Sequence, residues 1–106
     1  DAAMNDFMRP ALYDAKHRII PLKKTNAKSN KIYEFVGPIC ESTDKFLTQK
    51  KFQRLKEKDF VAICDVGAYG MSLSSNYNLR PKATELLIKN SKVQIIYKRQ
   101  NLKDLI

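Results

Sequence analysis

Two strand-like apolar runs, Ile32 to Val36 and Phe60 to Val66, end abruptly on glycine or proline and give way to dense polar segments. The first segment reads Gly37-Pro38-Ile39-Cys40-Glu41-Ser42-Thr43-Asp44. The second runs from Asp65 through Gly67-Ala68-Tyr69-Gly70 to Asn76-Tyr77-Asn78-Leu79-Arg80-Pro81. Short apolar runs stopped by turn residues restrict the chain to short strands at close spacing, because glycine and proline punctuate helices and sheets alike. Packing alone asks for neither a Cys-Glu pair after a Gly-Pro turn nor a tyrosine between glycines at a strand end. Both segments therefore read as parts of an active site mounted on apolar supports.

The rest of the pattern fits that frame. Arg9 to Ala15 predicts one or two helical turns, since proline is tolerated at the first helical position. His17 to Leu22 predicts a strand ending near Pro21, Lys23 to Asn30 a polar loop, and Ile32 to Val36 a strand of β-branched and aromatic residues. Asp44 to Lys58 is rich in lysine and weakly periodic, so it reads as an irregular connection with a helical turn. Asp59 to Ala68 is nearly continuous in apolar residues, as in a strand buried on both faces. Glu85 to Ile88 and Val93 to Lys98 flank Lys89-Asn90-Ser91-Lys92 as a β-hairpin, with Val93, Ile95 and Tyr97 on one face. Asn101 caps a last turn through Leu105. The expected class is mainly β, a barrel or sandwich with short helical pieces, forming one domain over residues 1–106.

At 106 residues, 43% apolar and 29% charged, the chain matches an ordinary globular domain and not a disordered one. Its longest apolar runs are about seven residues, too short for a membrane span. It opens on Asp1-Ala2-Ala3-Met4-Asn5-Asp6, neither an initiator methionine nor a signal peptide, and reads as the middle of a longer protein. The net charge of +9 would suit a nucleic-acid binder, but lysine and arginine are scattered from Arg9 to Lys103, and their denser stretches carry few aromatics at stacking spacing and no recognisable RNA or DNA motif. A solvated surface is the favoured reading, and a basic β-barrel that binds nucleic acid the alternative. One histidine, His17, and two widely separated cysteines, Cys40 and Cys64, argue against a zinc site and for a reducing cytoplasm.

Four motifs in order, Asp1-Ala2-Ala3-Met4-Asn5-Asp6, Arg9-Pro10-Ala11-Leu12-Tyr13, Gly37 to Asp44 and Asp65 to Pro81, cover nearly the whole chain. Together they resemble the C-terminal portion of the diaminopimelate decarboxylase family, whose members depend on pyridoxal 5′-phosphate (PLP). The resemblance implies a two-domain enzyme in which an N-terminal α/β barrel, absent from this chain, carries the PLP lysine. It implies conversion of meso-2,6-diaminopimelate to L-lysine and CO2, with PLP as electron sink, in a homodimer whose site is shared across the interface. It also implies that these 106 residues are inactive alone.

The residue roles follow from the resemblance. Arg9 and Tyr13, four apart and so on one side of a helical turn, hold a substrate carboxylate; a guanidinium fork meets both oxygens. Cys40 reaches the partner subunit's site and gives a proton to the decarboxylated carbon, and a thiol, with an ordinary pKa of about 8.5, can do so near neutral pH. Glu41 binds substrate through the ammonium at its far end, and Tyr69 touches both PLP and substrate. Asn76, Tyr77, Asn78, Arg80 and Pro81 match in structural roles, and Asp44 matches with its role open. Without the resemblance, Arg9 and Glu41 are surface charges, Tyr13 is half-buried, Tyr69 is a core residue and both cysteines are small buried hydrophobes, the last reading being the stronger one for Cys64. A PLP decarboxylase for ornithine or arginine is the other enzyme reading; diaminopimelate is favoured because Glu41 beside Cys40 supplies a second reader. Two positions depart from the family: Ala3 where glycine is usual, costing about 1 kcal/mol if that backbone needs positive φ, and Thr43 where a smaller residue is common.

Overall fold

The computed structural model describes residues 1–106. In chain order it holds helix α1 (Arg9–Tyr13), strands β1 (Ile19–Pro21), β2 (Tyr33–Val36), β3 (Lys45–Gln49) and β4 (Val61–Ile63), helix α2 (Gly67–Ser72), a 3-10 turn (Tyr77–Leu79), strands β5 (Glu85–Lys89) and β6 (Lys92–Tyr97), and a final 3-10 turn (Leu102–Leu105). The strands pair antiparallel as β1 with β4, β2 with β3, and β5 with β6. The mainly β class with short helical pieces holds. No helix is long and apolar enough to cross a membrane.

One apolar centre organises the first two ladders. Phe7, Ile19, Phe46 and Phe52 are buried together, with Tyr33, Phe35, Leu47, Leu55, Val61, Ile63 and Val66 packed around them. Phe35 and Tyr33 meet Phe52 edge to face, with ring centres 5.2 and 6.0 Å apart, a geometry that aligns ring edge with ring face. The Tyr33 hydroxyl accepts the Leu55 N–H at 3.1 Å. That bond, followed by one with Ser29, holds the phenol below its ordinary pKa.

Two expected elements take different forms. Lys45 to Gln49 is a strand and not part of an irregular connection. It is fixed by its partner, in the register Tyr33↔Gln49, Glu34↔Thr48 and Phe35↔Leu47, with Phe46 turned inward. The run from Asp59 to Ala68 pairs only over Val61–Ile63, and none of those three residues is fully buried. Asp65 and Gly67, both at φ 58°, then turn the backbone out of the sheet, and Gly67 opens a helix where a strand end was expected.

The hairpin and the last turn match their expectations. Lys89 pairs with Lys92 around Asn90 and Ser91, both at positive φ, as a two-residue turn of type I′ requires. Asn101 and Asp104 form a reciprocal capping box on the final turn. Both faces of the β5–β6 ladder are open to solvent, including Leu86, Ile88, Val93 and Ile95.

Candidate active site

Asp44 fixes the shape of the segment that carries Cys40 and Glu41. Gly37 to Asp44 joins β2 to β3, and its ends close through the Gly37 N–H donating to the Asp44 carbonyl at 3.0 Å. The Asp44 side chain is 2% exposed and accepts two backbone N–H groups, from Ile39 at 2.8 Å and from Met4 at 2.7 Å. Gly37 leaves room for that carboxylate, which a β-carbon there would strike. Ile39 is buried beneath the loop, so its neighbours Cys40 and Glu41 are turned outward and exposed. A buried acid and a buried isoleucine thus hold a thiol and a carboxylate in the open. The reading of Cys40 as a buried hydrophobe fails here.

Arg9, Tyr13 and Tyr69 form a second group. Arg9 begins α1, and its guanidinium lies 5.7 Å from the centre of the Tyr13 ring and 5.3 Å from that of Tyr69. Both contacts are within cation–π range. Tyr13 is 62% exposed and Tyr69 is 61% exposed, so neither is the half-buried or core tyrosine that composition alone allows. Tyr69 stands on α2, not at a strand end, and Gly70 beside it is buried where a side chain would meet Val66. The Val66 side chain at the start of the helix occupies the space a β-carbon on Gly70 would need.

Asn5 and Arg80 tie the Asp1 to Asp6 turn to the segment from Ser75 to Arg80. Asn5 is 1% exposed; its Nδ2 donates to the Ser75 carbonyl at 3.3 Å and its Oδ1 accepts from Arg80 Nε at 3.0 Å. Arg80 also donates to the Asp1 carbonyl and lies 3.9 Å from Asp6. Ala3 is fully buried and is not among the residues at positive φ, so the alanine is accommodated without backbone strain. Cys64 is half-buried just past β4, where its carbonyl meets His17 Nδ1 at 3.1 Å, and both cysteines are free thiols.

One partner was not legible as a functional group. The Tyr77 hydroxyl donates to Oε1 of Glu41, joining the second polar segment to the tip of the first. The bond to Glu41, then the Glu41 charge, then desolvation and Cys40 push the Tyr77 phenol above its ordinary pKa. A raised tyrosine pKa means that this pairing favours folding at neutral pH and is lost as pH rises through the folded value.

Comparison with known proteins places the chain. Residues 1–67 match the family described as pyridoxal-dependent decarboxylase, C-terminal sheet domain. The chain belongs to that family. The chain is 46% identical over 105 residues to the diaminopimelate decarboxylase of Helicobacter pylori, covering 99% of the chain and 26% of the relative. It is 41% identical over 101 residues to that of Aquifex aeolicus, covering 95% of the chain and 24% of the relative. Among solved structures it superposes with a TM-score of 0.92 on diaminopimelate decarboxylase from M. jannaschii in co-complex with L-lysine, at 41% identity, covering 99% of the chain and 24% of that structure. It superposes with a TM-score of 0.88 on the H. pylori enzyme complexed with L-lysine, at 46% identity, covering 99% of the chain and 26% of that structure. The chain spans about a quarter of the length of the relatives it matches.

The surface suits one wall of a PLP site. Tyr69 offers an exposed phenol that can donate to a phosphate oxygen, and the adjacent Arg9 guanidinium offers positive charge to an anionic group. The hollow lined by Pro10, Asp14 and Phe46 and the one lined by Ile19, Phe35 and Phe60 do not include Arg9, Tyr13, Cys40, Glu41 or Tyr69. Tyr13, Cys40, Glu41 and Tyr69 are all exposed.

Proposed function

We propose that this domain is the C-terminal part of a diaminopimelate decarboxylase that converts meso-2,6-diaminopimelate to L-lysine and CO2 in the cytoplasm. One observation carries the reading: Cys40 and Glu41 stand exposed on a loop whose base is buried, in a chain 46% identical over 99% of its length to a protein of that name. PLP, when bound, supplies the electron sink for loss of CO2. Tyr69 would hold it by a hydrogen bond to its phosphate, and the lysine that anchors it lies outside these residues.

The chain's own residues bind, read and protonate. Arg9 and Tyr13 hold a substrate carboxylate, the guanidinium fork meeting both oxygens. Glu41 accepts the ammonium at the far end of the substrate, which separates diaminopimelate from amino acids that lack a second amino-acid group. Cys40 donates the S–H proton to the carbon that has lost CO2; the thiolate recovers its proton from solvent. Arg9, Tyr13 and Tyr69 serve one site, and Cys40 and Glu41 reach the site of a partner subunit across a two-fold interface. The uncovered apolar faces of β5 and β6 are consistent with burial against the remaining parts of such an assembly.

A substrate panel on the full-length protein tests the assignment. The expected result is decarboxylation of meso-diaminopimelate with kcat/KM at least about a hundredfold above that for ornithine or arginine, since a site built to pair buried or oriented polar groups rejects substrates that leave them unpaired. Preference for ornithine or arginine would replace this reading with the other.

A further inference from the structure

The turn that carries Tyr77 is tied into the fold more firmly than the loop tip it touches. Asn76 Nδ2 donates to the Arg80 carbonyl at 2.9 Å and to Gln100 Oε1 at 2.7 Å, and Asn78 takes a left-handed conformation at φ 57°. Just before it, the Ser75 N–H donates to the carbonyl of buried Asn5 at 2.9 Å. A path of hydrogen bonds therefore runs from the buried Asn5 to the base of the turn whose phenol meets Glu41. Glu41, by contrast, is exposed and forms no ion pair. An exposed glutamate left to itself samples many rotamers and must be ordered when it binds a cation.

We propose that Tyr77 is a positioning residue for substrate recognition: its hydroxyl holds Oε1 of Glu41 and leaves Oε2 as the free acceptor for a primary ammonium of the substrate. The inference rests on Glu41 being the ammonium reader. A phenol has a single O–H, and Glu41 takes it, so Tyr77 acts through the carboxylate and not on the substrate. A phenol is protonated, and therefore able to donate, throughout the neutral range.

The test compares Tyr77→Phe, Glu41→Ala and the double variant in the full-length dimer, reading kcat and KM with meso-diaminopimelate and the Kd of L-lysine by calorimetry. L-lysine retains the amino-acid end that Glu41 would read. Tyr77→Phe is expected to raise KM and the lysine Kd about fivefold, the worth of one modest hydrogen bond, with kcat within about twofold. In the Glu41→Ala background the same substitution should change neither by more than about 1.5-fold. An equal effect in both backgrounds overturns the proposal, because Tyr77 would then act independently of Glu41. An unchanged KM in Tyr77→Phe, where Glu41→Ala does raise KM, overturns it as well. If Glu41→Ala itself leaves KM and the lysine Kd unmoved, the reading of Glu41 falls and this inference falls with it. A structural fault alone would reduce the amount of folded protein while leaving KM in place, which separates it from the expected result.

Discussion

Asp44→Ala should destabilise the domain by about 3–5 kcal/mol, because hydrogen bonds to a charged acceptor are worth about 1.5–3 kcal/mol each and two backbone N–H groups, one buried and one partly buried, lose theirs. The donors are Met4 and Ile39, which lie on opposite sides of the carboxylate and far apart in sequence. Asp44 therefore joins the Asp1 to Asp6 turn to the loop between β2 and β3. Asp44→Asn should be only slightly milder: the shape is kept, but one acceptor becomes an N–H donor that faces another N–H. Gly37→Ala attacks the same contact from the other side, by driving a methyl group into the carboxylate. Urea denaturation of the full-length protein measures all three. A loss below about 1 kcal/mol for Asp44→Ala would mean that water replaces the carboxylate at both donors.

Cys40→Ala should lower kcat by about a hundredfold to ten-thousandfold, the range over which a positioned general acid acts, while KM for diaminopimelate stays within about threefold. The separation of the two constants follows from the geometry of the loop. Ile39 and Asp44, not Cys40, hold it in place, so removing an exposed thiol leaves Glu41 where it was. Cys40→Ser should recover little, since a hydroxyl is a far weaker acid than a thiol. A kcat within tenfold of the parent for Cys40→Ala would assign the proton to another group.

Much of this arrangement was legible in the sequence. The β5–β6 hairpin announced itself through Asn90-Ser91, residues that tolerate positive φ, and the last turn through Asn101 as a capping residue; the Asp104 half of its capping box came only with the structure. Arg9 and Tyr13 needed only helical spacing to be placed side by side, and the structure adds Tyr69 to them. The failures have local causes. Lys45 to Gln49 hides as a strand because lysines flank Phe46 and Leu47, and its identity comes from pairing with β2, a long-range fact. The apolar run through Val66 overstates β4, since Asp65 and Gly67 leave extended geometry at φ 58°. Asp44 and Tyr77 carried no signal of their roles. An aspartate in a polar loop gives no sign that it will be buried, and the Tyr77–Glu41 contact joins residues brought together only by folding.

In the proposed enzyme this domain contributes to two sites at once, Arg9 with Tyr69 to one and Cys40 with Glu41 to its two-fold mate. Co-expression of full-length Cys40→Ala and Arg9→Ala chains, each inactive alone, tests it directly. In a mixed dimer with a divided site, one site would combine intact Arg9 from one subunit with intact Cys40 from the other. Random pairing should then restore about a quarter of parental activity, half of the dimers being mixed and each holding one whole site. Activity no higher than that of the separate variants would contradict a divided site and place Arg9 and Cys40 in the same site of the same subunit.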